Sequence, residues 1–244
     1  MSVMFIGIKS LHRLPMTMRL SNKTTRRFVN MDATIFWNII GEYNQQTIFF
    51  QIILLIFEVI ALFLAYTGKN KWIAKFTLGV VNLYIGIVFF GLHGTEPIQK
   101  FFAFPLYIFV GVLFLYESYK NRSDKLAKPN ALQVALLLLY VFYPLVSILL
   151  GSEFPRMVTH IMPCPVISLS IVVYSGYKKK KLLLLALLTI WGLTGIKSVI
   201  FQAYEDIILL ICGFYGVWLL YKEMRAGRSS GLPWKSPGRQ GPGI

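Results

Sequence analysis

Residues 48–66 read IFFQIILLIFEVIALFLAY. Gln51 and Glu58 are the only strongly polar side chains in this run. A helix needs about 20 mostly apolar residues to cross a hydrocarbon core, and this stretch supplies them. It lacks the period-two alternation of a barrel strand. Working outward, six further apolar runs follow at 72–92, 101–119, 131–150, 161–177, 182–201 and 206–221. The expected fold is therefore an all-α polytopic transmembrane bundle of seven helices. The last run is short, and would stand upright or begin in the interface.

Composition agrees. Of 244 residues, 56% are apolar, 15% aromatic and 14% charged, and the mean hydropathy is +0.61. A soluble domain carries roughly 25% charged residues, so too few are present here to coat a soluble surface. A soluble globular enzyme and a disordered chain are both excluded. The net charge of +15 does not point to nucleic acid. The basic residues sit between apolar runs, where they act as retention signals for cytoplasmic loops, and the partner they imply is the lipid bilayer. Two cysteines, Cys164 and Cys212, lie in apolar surroundings and define no disulfide framework.

The joints between runs carry turn and cap residues. Gly68-Lys69-Asn70 closes the first span, and Lys128-Pro129-Asn130 precedes the fourth. Glu205-Asp206 is placed to cap the last, where a helix dipole favours negative charge. Pro105 and Pro144 fall inside spans and are expected to kink them. The chain divides into a basic tail over 1–30, an amphipathic interfacial lead-in over 31–47, one helix-bundle domain over 48–221, and a disordered basic tail over 222–244. Residues 1–30 hold six Lys/Arg and no acid. They fit either a start of translation at Met31 or a basic tail on the membrane surface.

Alternating the connections puts sixteen Lys/Arg on one side, against three on the other plus the six of the N-terminal tail. The positive-inside rule assigns the sixteen to the cytoplasm, with the N-terminus outside and the C-terminus inside. The outer face then collects His93, Glu96, Glu153, His160, Met162, Cys164, Lys197, Glu205 and Asp206.

In the tract His160-Ile161-Met162-Pro163-Cys164-Pro165, imidazole, thioether and thiolate are ligand types for soft or borderline metals such as Cu(I) and Zn(II). The metal expectation is a site of His93, His160, Met162 and Cys164; the alternative is a proline-shaped helix start with an inert thiol. Glu58 lies mid-span, where an ionisable group is a functional candidate by default. Asn82 lies at similar depth and is expected to pair with it across the hairpin. Glu58, Asn82, His93 and Glu96 form the expected ligand-binding set.

The chain resembles the bacterial membrane-protein family called domain of unknown function 6064. The resemblance covers about 36–221. It rests on Trp37 to Asn44 (WNIIGEYN), the span ending at His93, Tyr143-Pro144, Met162-Pro163-Cys164-Pro165 and Glu205-Asp206. The family pattern has two threonines after Pro-Cys-Pro, where this chain has Val166 and Ile167. The resemblance implies a multi-pass protein of the bacterial inner (cytoplasmic) membrane and assigns no activity. Three functions remain: a small transporter or ligand-binding or metal-binding membrane protein with an outer-face site, a structural or accessory subunit that works as a homo-oligomer or beside other membrane subunits, and an intramembrane enzyme. No catalytic constellation supports the last.

Overall fold

The computed structural model describes residues 16–95, 97–198 and 202–229, with backbone only for 16–33 and 227–229. The described residues are helical apart from connections, and one isolated antiparallel bridge joins Leu126 to Tyr177.

Helix α1 (Met16–Tyr66) runs without a break through the stretch expected as a separate interfacial lead-in. From Thr34 onward it has an inside-out pattern. Asn44, Thr47, Gln51 and Glu58 are buried against the bundle, while Phe49, Ile56 and Phe63 are exposed. The buried polar positions recur at helical spacing, so one face collects them. A helix with its apolar face outward suits lipid rather than water. It stops at Gly68, whose φ of +74° is available to glycine without steric cost. There Gly68 N–H donates to Ala65 O and Asn70 N–H to Leu64 O, the expected way of closing helix-end carbonyls.

Helix α2 (Ile73–Tyr84) continues as a π-helix over Ile85–His93. After the turn, a π-helical segment Gln99–Ala103 leads into α3 (Phe104–Lys120). Pro105 occupies the first turn of α3 and marks the change from π to α, rather than kinking a helix interior. Helix α4 (Ala131–Val141) opens on a capping box between Asn130 and Gln133, and α5 (Tyr143–Leu149) follows it at a bend of 53°. Pro144 explains the bend, since it has no N–H for the helical ladder.

Helix α6 (Pro163–Ser175) is short and almost wholly buried. Helix α7 (Leu182–Leu193) ends in a 3₁₀ turn, Thr194–Lys197. A second 3₁₀ turn, Tyr204–Asp206, leads into α8 (Ile207–Ser229). The tail expected from 222 is thus helical as far as Ser229.

The apolar runs predict seven spans. Among the described residues, four helices are long and apolar enough to cross a membrane, or five if the bent α4–α5 pair is one span. The stretches 161–177 and 182–201 yield only shorter apolar helices. Helix α6 has 13 residues, about 20 Å at 1.5 Å per residue, against a hydrocarbon core of about 30 Å. It tolerates this because protein surrounds it. Irregular backbone at membrane depth is allowed where protein covers it, and α2, α4, α7 and α8 all pack on α6.

Glycines bring two helix pairs together. A Cβ on Gly111 would lie 3.0 Å from Gly79 O, between α3 and α2. One on Gly192 would lie 2.7 Å from Gly213 Cα, between α7 and α8. Small residues at such crossings are a general device of membrane helices.

Candidate functional site

The connection 151–162 crosses the end of the bundle where α1 begins its described side chains. Its carbonyls have no helical partners, and buried carbonyls need donors. The polar face of α1 provides them. Asn44 Nδ2 donates to Pro155 O (2.7 Å) and Met157 O (2.8 Å), and Tyr43 O–H donates to Ile161 O (2.6 Å). Thr159 O–H donates to Gln51 Oε1 at 2.6 Å. Tyr107 O–H, from α3, reaches Pro163 O at 2.7 Å.

Held in this way, Met162 is extended (φ −132°, ψ 163°) and α6 starts at Pro163. Val166 N–H makes the first helical bond, to Met162 O, at 3.1 Å. Val166 and Ile167 are fully buried in apolar packing.

Around this start lies a cavity of ≈ 300 Å³. Its body is apolar, with Ile39, Phe89, Phe90 and Leu209 among its walls. Pro163, Cys164 and Pro165 line it, together with Lys197, Ser198 and Asp206. Asp206 is 8% exposed. Its Oδ1 accepts from Tyr143 O–H at 2.8 Å and its Oδ2 from Cys164 S–H at 3.1 Å. Its neighbour Glu205 accepts from Ser147 O–H at 2.8 Å, and Ser147 Oγ accepts from Val158 N–H at 3.0 Å. Glu205 and Asp206 do lie at the start of α8, but both carboxylates reach across to α5, and Asp206 also to α6. Lys197 has no ion-pair partner among the described residues.

The structure separates the residues expected to share a metal. His93 has Nδ1 2.9 Å from Val88 O and Nε2 3.2 Å from the Gln46 amide oxygen. His160 Nε2 lies 3.2 Å from Val141 O, and its ring packs edge-on to Tyr140. Burial pushes the His160 imidazolium down from its ordinary pKa, only partly offset by Val141 O. Met162 Sδ accepts from Thr159 N–H at 3.2 Å. Among the described residues no three His, Cys, Asp or Glu side chains gather closely enough to hold a metal ion. Spacing in sequence set His160 beside Cys164, but the extended Met162 and the turn into α6 point them to different neighbours.

The expected Glu58–Asn82 pair is not formed either. Glu58 Oε2 accepts from Tyr140 O–H at 2.7 Å, and Oε1 is buried without a partner. Asn82 Nδ2 donates to Leu78 O (2.7 Å) and Ser170 Oγ (3.2 Å). Glu96 lies outside the described residues.

A second polar cluster sits at the opposite end of α2 and α3, and no sequence argument anticipated it. Lys75, in the first turn of α2, is fully buried. Its Nζ lies 3.3 Å from Asp124 Oδ2, 3.6 Å from Glu117 Oε2 and 4.1 Å from the centre of the Tyr177 ring. Lys181 approaches Glu117 from the other side at 3.7 Å. Asn121 Nδ2 donates to Glu117 Oε2 at 2.6 Å. A buried cation needs partners of this kind, but nothing local in the sequence marks which acid will supply them.

A family model described as a family of unknown function (DUF6064) matches residues 33–230. No curated protein and no solved structure matches the chain.

Proposed function

The chain belongs to that family of unknown function, and on this premise we propose that it is a ligand-binding membrane protein, or small transporter, whose site is the cavity beside Met162–Pro165. The observation that carries this reading is the cavity itself. Ligand sites are mostly apolar concavities with a few placed polar groups, of about 300–1,000 Å³. This one has that size and make-up and ends on Cys164, Lys197 and Asp206. His93 and His160 are engaged elsewhere, and this favours an organic ligand over a metal ion.

The same reading takes seven passes: α1, α2 with its π-helical end, α3, α4–α5, α6, α7 and α8, with α6 and α7 as short crossings. The positive-inside rule then puts the lysine-rich end in the cytoplasm and the cavity at the outer face, with the N-terminus outside. A reporter fused after Ser229 and found outside the cell would overturn this orientation.

Native mass spectrometry tests the ligand reading. The wild-type protein extracted from membranes should retain a small molecule. Ile98→Trp, at an exposed position on the cavity wall, should retain much less at unchanged melting temperature. Equal retention by both would move the site elsewhere.

One observation favours the accessory-subunit alternative. The tyrosine and asparagine donors around 155–163 are all used within the protein, as a purely structural clamp would have them. A protein that holds no ligand, and whose loss disperses a membrane complex, would support that alternative.

A further inference from the structure

The cavity holds two opposite charges that do not meet. Asp206 is more than nine-tenths buried, and among the described residues its carboxylate accepts from two neutral donors, Tyr143 O–H and Cys164 S–H. No Lys, Arg or His lies within ion-pair distance of it among the described residues. A buried carboxylate without a countercharge is costly. Two accepted hydrogen bonds leave about half of its roughly four acceptor sites open.

Lys197 lines the same cavity at an exposed position. Its ammonium also has no acidic partner among the described residues. The two side chains sit on either side of the connection between α7 and α8, nine positions apart. They are near enough to share a cavity and too far apart to form an ion pair of 4.0 Å or less. The other walls of the cavity include the apolar side chains of Phe89, Phe90 and Leu209.

We propose that this cavity takes a small zwitterion with an apolar body, of the chemical class of an apolar α-amino acid, its ammonium at Asp206 and its carboxylate at Lys197. This rests on the reading of the cavity as a ligand site. Each charge of such a ligand meets a protein charge of opposite sign that has no ion-pair partner among the described residues, and its side chain replaces cavity space with apolar contact. An ion of one sign would satisfy one end and leave the other unpaired. A metal ion would leave the apolar walls unused.

The experiment is equilibrium binding to the full chain in lipid nanodiscs, with empty nanodiscs subtracted. The probes are phenylalanine, 3-phenylpropanoate, 2-phenylethylamine and 2-phenylethanol. Phenylalanine should bind saturably, at least tenfold more tightly than either singly charged analogue. In Lys197→Gln, phenylalanine should fall to the level of 2-phenylethylamine, whose own affinity should not change. In Asp206→Asn, checked for an intact melting transition, it should fall to the level of 3-phenylpropanoate. If either singly charged analogue binds as tightly as phenylalanine, or if the neutral alcohol binds best, the zwitterion proposal is overturned and the ligand-site reading stands. If none of the four binds saturably to folded protein, both are overturned.

Discussion

Cys164 donates its S–H to Asp206 across 42 residues of chain, at 3.1 Å, and so joins the start of α6 to the start of α8. Tyr143 completes the junction from α5. Three elements thus share one carboxylate at the cavity wall.

Removing that carboxylate should loosen all three. Asp206→Ala leaves Tyr143 O–H, and more weakly Cys164 S–H, without an acceptor, and an unsatisfied buried donor costs about 1–3 kcal/mol. Asp206→Asn keeps an oxygen for Tyr143 and should lose less. Thermal unfolding in detergent ranks the two. Equal losses would mean that the hydrogen bond to Tyr143 contributes little.

At the other end, Lys75→Met strands Glu117 and Asp124 in a buried site. Breaking a buried pair on one side typically costs about 3–5 kcal/mol. Lys181 and Asn121 continue to serve Glu117, so a value at the low end is expected. Adding Glu117→Gln to Lys75→Met should recover part of the loss. A double variant whose loss equals the sum of the two singles would show that the residues do not interact.

Tyr140→Phe removes the hydrogen bond to Glu58 and leaves both carboxylate oxygens buried without a partner. The expected loss is about 1–3 kcal/mol. In a Glu58→Leu background, the same tyrosine change should cost measurably less, because no carboxylate remains to be stranded. The comparison is a double-mutant cycle read by thermal melts. An unchanged tyrosine effect in both backgrounds would separate it from Glu58.

His160 predicts a pH dependence. Its folded pKa is lowered by burial, so below the ordinary histidine value of about 6.5 the unfolded chain takes up a proton that the folded one resists. Its contribution is complete above that pH and is lost as pH falls through the folded value. Between pH 7.5 and 5.5, the wild-type melting temperature should therefore drop further than that of His160→Gln. Parallel curves would refute the assignment.

Much of the framework was legible in the chain. Long apolar runs declare membrane helices because no soluble surface can be made from them, and Gly68, Asn130 and Pro144 end, cap and bend helices where the sequence places them. The Met162–Pro165 tract is legible as a disturbed helix start, but its partners in space, Tyr107 and Asp206, lie far away in sequence. Asn44, Thr47, Gln51 and Glu58 recur at helical spacing, a local signal sufficient to place an inward polar face on α1.

The sequence by itself determined that this protein is helical, apolar outward and basic between its runs, because each of those properties is local to a segment. Only the tertiary structure decided that Glu58 meets Tyr140 rather than Asn82, that Lys75 leaves the surface for Glu117 and Asp124, and that Cys164 meets Asp206 instead of a histidine. Each of those partners depends on how one helix is rotated and staggered against another. That rotation is set by glycine contacts and inter-helix hydrogen bonds spanning tens of residues, which no local stretch of the chain encodes.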